Sequence, residues 1–162
     1  MDRFKDLLAV TVPQYEVPRC HFFSMQLWDL GKKHCKNTLF GHEGYVNHCR
    51  FSPDDKYLAS CSMDGTLKLW DVASANEYKT IDVAVSFQKN DESQFLLKCC
   101  SWSNDCSRIM VTAQNRLYLW DIDSNTKIAD FNAHLSWVHC VKFSPEGSSF
   151  LTSSDDQTVK VW

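Results

Sequence analysis

His42, Ser60 and Asp64 are the residue types of a nucleophile system: a hydroxyl, an imidazole to take its proton and a carboxylate to orient the imidazole. The trio recurs as His134, Thr152 and Asp156, with the same gaps of 18 and four residues. In both copies a Trp follows the Asp by six residues, at Trp70 and Trp162. Duplication and Trp together change the expected chemistry. A catalytic hydroxyl must face a cleft, whereas Ser60 falls inside the apolar run Tyr57-Leu58-Ala59-Ser60-Cys61. A buried indole N–H is a donor that needs an acceptor. A hydroxyl accepts from it and donates onward. Imidazole takes that donation and gives its other ring hydrogen to the carboxylate, so every polar group is paired. The spacing predicts a structural relay of His42, Ser60, Asp64 and Trp70, repeated in His134, Thr152, Asp156 and Trp162, and no catalytic residue.

Two other constellations offer reactive types. Cys49 lies beside His48, and Asp54 beside Asp55. Neighbours in a strand point to opposite faces, and paired turn carboxylates are ordinary solvated turn formers. Neither predicts an enzyme. The eight cysteines are Cys20, Cys35, Cys49, Cys61, Cys99, Cys100, Cys106 and Cys140, with no Cys-x-x-Cys pair among them. The six His do not supply the short, regular spacing of a zinc site. Most cysteines fall in predicted strands, as small hydrophobes of a reducing compartment. The expectation is no metal, no cofactor and a cytoplasmic protein.

The elements that hold the relay follow from the Trp residues. Trp28, Trp70, Trp120 and Trp162 each close a short apolar strand, and Asp follows the first three. They lie 42, 50 and 42 residues apart. Self-similarity at that period is the signature of a β-propeller array. Phe51, Trp102 and Phe143 are each followed by Ser, a polar turn and a second apolar run, which reads as strand, hairpin, strand. A closed ring takes about four to eight blades, and roughly three and a half are legible here. The fold class is therefore all-β, an incomplete propeller of four-stranded blades in an open arc.

Residues 25–40 read as the end of a blade and 41–83 as a complete one. Residues 84–131 read as a degenerate blade and 132–162 as one lacking its last strand. The degenerate unit has no Gly-His, its turn after Thr112 is shorter by a residue, and Gln114 and Asn115 stand where Asp would be. Its polar stretch Phe87 to Ser93 is expected to be a surface loop. Residues 1–24 do not match the repeat; Asp2 to Val12 reads as a marginal helix with Phe4, Leu7 and Leu8 on one face. Because the sequence stops at the close of a third strand, it is expected to be a fragment, a partial gene model or a splice form.

The net charge of −3 supplies no basic excess for a phosphate backbone, so nucleic acid is not an expected partner. No apolar run approaches the ~20 residues of a membrane-spanning helix. Asp2 and Asp6 precede the first apolar stretch, which is wrong for a secretory signal.

The paired His, hydroxyl, Asp and Trp-Asp positions resemble the WD40 repeat family, which implies a non-catalytic scaffold for protein partners. Longer strings resemble the WD40 region of the apoptosome scaffold proteins, over about Met25 to Trp162. Among them are Asn47 to Lys56, Cys99 to Ser103, Arg108 to Val111 and His134 to Thr158. That resemblance implies a role in regulating apoptosis, with cytochrome c and the rest of the apoptosome scaffold as partners. It further implies a skipped repeat near residues 121–128. No Gly-x-x-x-x-Gly-Lys-Ser/Thr loop is present to cradle a nucleotide. Loops at the relay end of each blade offer the contact residues: Tyr45 and Trp137, three after each relay His, and Met63 and Asp155, just before each relay Asp. Aromatic and Met side chains suit protein contacts; alternatively Tyr45 and Trp137 pack against the neighbouring blade. A different class of reading is a truncated product with no binding role of its own, associating through unpaired strand edges.

Overall fold

The computed structural model describes residues 7–11, 23–83 and 96–162; the expected surface loop at 87–93 lies outside them. Among the described residues fourteen strands form four antiparallel sheets, and no helix occurs. The first sheet holds β1 (Leu7–Thr11), β2 (Met25–Asp29) and β3 (His34–Leu39). The second holds β4 (Val46–Phe51), β5 (Tyr57–Ser62), β6 (Thr66–Asp71) and β7 (Asn76–Asp82). The third holds β8 (Leu97–Trp102), β9 (Arg108–Ala113), β10 (Arg116–Asp121) and β11 (Thr126–Asn132). The fourth holds β12 (Val138–Phe143), β13 (Phe150–Ser154) and β14 (Val159–Val161). Strands neighbour each other in chain order within every sheet, so each sheet is a meander and the array is an open propeller arc.

The repeated residues build repeated turns. Asp55, Cys106 and Gly147 close the first hairpin of their sheets, each with its N–H on the carbonyl of Ser52, Ser103 or Ser144. All three have positive φ, at 59°, 62° and 73°. The Asp after each Trp shapes the next turn: Asp29, Asp71 and Asp121 accept the N–H of Lys32, Ser74 and Ser124. That is the local reason for the Trp-Asp pair.

The core lies in the seams between sheets. Met25, Leu27 and Leu39 meet Leu58, Trp70 and Val72 in the first seam. Ala59, Cys61, Leu67 and Leu69 meet Leu97, Cys100, Val111 and Tyr118 in the second. Cys99, Met110 and Leu117 meet Ala133, Val138 and Val141 in the third. Sheets buried on both faces need apolar residues at nearly every position, which is why β5 and β9 do not alternate. The strands β4, β8 and β12 pack in succession, with β1 against β4.

One expected element is overturned. The described part of the helix read over Asp2 to Val12 is strand β1, paired antiparallel with β2 from Leu7 opposite Asp29 to Thr11 opposite Met25. Leu7 and Ala9 turn inward while Leu8 and Val10 are exposed, a period of two. An isolated helix of that length is marginal, and the open edge of β2 offers a full ladder of hydrogen bonds instead. Part of the segment 1–24 therefore joins the first sheet.

Candidate functional site

β5, β6 and the loop ahead of β4 bring the first relay together. Trp70 Nε1 donates to Ser60 Oγ at 2.8 Å. Ser60 Oγ lies 2.7 Å from His42 Nε2, and His42 Nδ1 lies 2.8 Å from Asp64 Oδ2. With the Ser60 hydroxyl donating to Nε2, the ring hydrogen sits on Nδ1 and is donated to the carboxylate. The fourth sheet repeats this. Trp162 Nε1 reaches Thr152 Oγ1 at 3.0 Å, Thr152 reaches His134 Nε2 at 2.7 Å, and His134 Nδ1 reaches Asp156 Oδ2 at 2.8 Å. Ser60 is 0% exposed. A hydroxyl so placed meets no substrate, and its job is to join indole to imidazole.

Sequence reasoning missed four more members. Thr66 donates to Asp64 Oδ1 at 2.6 Å and lies 3.2 Å from His42 Nδ1; Thr158 does the same to Asp156 and His134 at 2.6 and 3.1 Å. Ser62 Oγ donates to Gly44 O and accepts from Asp64 N, and Ser154 Oγ does so with Ser136 O and Asp156 N. The signal was present as a hydroxyl two residues before and two after each relay Asp.

These contacts set the acidity of the carboxylates. Burial opposes ionisation of Asp64, but the hydrogen bonds from His42 and Thr66 outweigh it and hold the carboxyl well below the usual range. For Asp156 the hydrogen bond from Thr158 leads, against a smaller cost of burial, and the Leu135 N–H and His134 add to it. In the unfolded chain both titrate near about 3.9. As pH falls, the unfolded chain therefore takes up these protons first, and stability falls with it. The relay contribution is complete above about pH 5 and is lost as pH drops below about 4 toward the folded values. Urea unfolding from neutral pH down to about pH 3 should show this slope in the wild type and a flatter one in Asp64→Asn/Asp156→Asn. Equal slopes would dismiss the two carboxylates as the acid-sensitive groups.

The third sheet has the framework without the relay. Ser60 pairs with Lys68, two places before Trp70, and Val111 pairs with Tyr118, two places before Trp120. Val111 thus occupies the hydroxyl position and has none to offer. Trp120 Nε1 is buried with no hydrogen-bond partner among the described residues. Thr112, the nearby hydroxyl in sequence, accepts the Cys99 N–H at 3.1 Å instead.

The expected contact residues stand in pairs beside the relays. Met63 N donates to Tyr45 O at 2.8 Å, and Asp155 N donates to Trp137 O at 3.0 Å. Tyr45, Met63 and Trp137 are half-buried, and Asp155 is exposed. Each aromatic also touches the preceding sheet or the loop before it: Tyr45 sits edge-on to Phe23 with ring centroids 5.4 Å apart, and Lys98 Nζ lies 5.9 Å from the Trp137 ring. Asp155 Oδ1 is 2.7 Å from His139 Nε2. Each aromatic thus both packs and keeps an open face.

Comparison with known proteins agrees with this geometry. The family model described as WD domain, G-beta repeat, matches residues 33–71 and 125–162. Apoptotic protease-activating factor 1 of Danio rerio is 40% identical over 185 residues, covering 87% of this chain and 15% of that protein. The Homo sapiens protein of the same name is 47% identical over 159 residues, covering 69% of this chain and 13% of its own length. A guanine nucleotide-binding protein subunit beta of Arabidopsis thaliana is 34% identical over 126 residues, covering 76% of this chain and 33% of that protein. The chain thus spans about a seventh of the length of the two apoptotic factors. No helix among the described residues is long and apolar enough to cross a membrane. Two matched repeats, four antiparallel sheets and a duplicated bond chain from imidazole to indole place this protein in the WD40 repeat family.

Proposed function

We propose that the chain is a non-catalytic, cytoplasmic protein-interaction module of the apoptosome type. Its partners in this reading are cytochrome c and the remainder of an apoptosome scaffold. The observation that carries the proposal is the rim. Two equivalent loop pairs, Tyr45 with Met63 and Trp137 with Asp155, stand on the same end of their sheets, anchored by backbone hydrogen bonds. Half-exposed aromatics on a rigid frame are the anchors that protein contacts favour. The fully buried hydroxyl of Ser60 leaves the relay to architecture and recognition to the rim. An alignment of 185 residues that uses 87% of a 162-residue chain leaves about 44 positions of the Danio rerio factor unmatched, close to one repeat. That number is the size a skipped repeat near residues 121–128 would leave.

Purified chain and purified cytochrome c test the proposal by calorimetric titration. Binding is expected in the wild type and loss of at least about tenfold in affinity in Tyr45→Ala/Trp137→Ala, with the melting temperature unchanged. Absence of binding by the wild type would end the apoptosome reading. A collapsed melting temperature in the variant would make both aromatics core residues.

A second reading has its own observation. Val159 and Val161 on β14 are 68% and 77% exposed, on a strand with no outer partner among the described residues. An apolar edge strand invites pairing with other propeller chains, and in this second reading the chain acts through that association alone. Sedimentation of the same samples separates the two: a monomer at micromolar concentration removes this second reading.

A further inference from the structure

We propose that His48, Cys61 and Cys100 form a binding site for a thiophilic divalent ion of the zinc type, in the seam between the second and third sheets. His48 and Cys61 are direct cross-strand partners of β4 and β5, so their side chains share one face. A register step between Val46 and His48 marks a bulge at Asn47, which re-aims the residue that follows. β8 packs on both β4 and β5 and brings Cys100 to the same point. A ring nitrogen of His48 and the two Sγ atoms lie within 4.8 Å of one another. Cys100 Sγ is 3.5 Å from His48 Nδ1, and sulfur and nitrogen ligands of one tetrahedral zinc stand about 3.6 Å apart.

The protonation pattern fits a ligand set. The Cys100 backbone N–H lies 3.4 Å from His48 Nδ1 and donates to it, so Nδ1 is the unprotonated nitrogen, and an ion bound there replaces this long hydrogen bond. Cys61 and Cys100 are fully buried while His48 is half-buried, which leaves the open side of the ion toward solvent. Two thiolates and a neutral imidazole cancel a double positive charge, as a buried ion requires. On binding, both thiol protons leave to solvent as two metal–sulfur bonds form, and no electrons are exchanged.

The cluster does not follow from the repeat. By register, the equivalent places in the next seam are Cys99, Thr112 and Val141. Thr and Val supply no soft ligand there.

A chromophoric chelator competing for Zn²⁺ reads the affinity, and Cd²⁺ adds a thiolate-to-metal absorption band that reports sulfur ligation. The wild type is expected to bind one ion per chain and to melt at higher temperature when loaded. Cys61→Ser/Cys100→Ser should lose the band and the thermal shift, while Cys140→Ser, which removes an exposed thiol, should keep both. Second-sphere changes already cost about 10–100-fold in metal affinity, so loss of a direct ligand in His48→Ala should cost at least that much. His48→Ala keeps both buried thiols, so it serves even if the double variant fails to fold. Unchanged affinity in His48→Ala, or a band that vanishes in Cys140→Ser, would overturn the site and leave adventitious surface binding only.

Discussion

Ser60→Ala is expected to lower the unfolding free energy by roughly 2–6 kcal/mol. The hydroxyl has two close buried partners, the Trp70 N–H and His42 Nε2, and a third at 3.5 Å, the Lys68 carbonyl. Removing it orphans the two close ones, at about 1–3 kcal/mol for each stranded group. A domain is stable by only about 5–15 kcal/mol, so the loss is a large share of the total. The urea midpoint should fall with little change in slope. A loss under about 1 kcal/mol would show that the relay is bystander geometry.

The third sheet supplies an internal control. Trp120→Phe removes an N–H that has no partner among the described residues, whereas Trp70→Phe removes one that is bonded. The two substitutions delete the same atoms. Trp120→Phe should therefore cost less than Trp70→Phe by at least about 1 kcal/mol. The reverse order would contradict the assignment of Val111 to the hydroxyl position.

Gly44→Ala is the second large effect. A Cβ there would stand 2.7 Å from the Asp64 backbone N and 3.1 Å from the Met63 carbonyl carbon. Neither is the tip of a flexible side chain, so the loop carrying His42 must separate from the turn carrying Asp64. Overpacking costs about 1–3 kcal/mol, and the strained Ser62 and Asp64 hydrogen bonds bring the loss to roughly 2–4 kcal/mol. Gly147→Ala gives the contrast. Its φ is +73°, but the nearest atom to an added Cβ is the Asn104 amide at 3.6 Å. Non-glycine residues already hold that turn position at Asp55 and Cys106, so about 1 kcal/mol is expected. Thermal unfolding of both variants checks the order, and equal losses would refute the clash at Gly44.

The relay was legible because buried polar groups must be satisfied in full. An indole donor, a hydroxyl and an imidazole at fixed spacing leave few other arrangements, and two copies fix the spacing. The N-terminal strand was not legible. Leu7 to Thr11 has too few residues for its period to be read, and the ladder that decides its state comes from β2. The empty relay of the third sheet was half-legible. The missing Gly-His and shortened turn showed a degenerate unit, but that same shortening disguised Val111 as the residue at the hydroxyl position.

Period, composition and turn chemistry determined the class of this protein: an all-β repeat whose polar residues lock its blades. They did so because a blade is local, with each strand paired to its neighbour in the chain. The seams belong to the tertiary structure alone. His48, Cys61 and Cys100 are separated by 13 and 39 residues. Only the stacking of two twisted sheets, with a bulge to turn one side chain, brings their ligand atoms together.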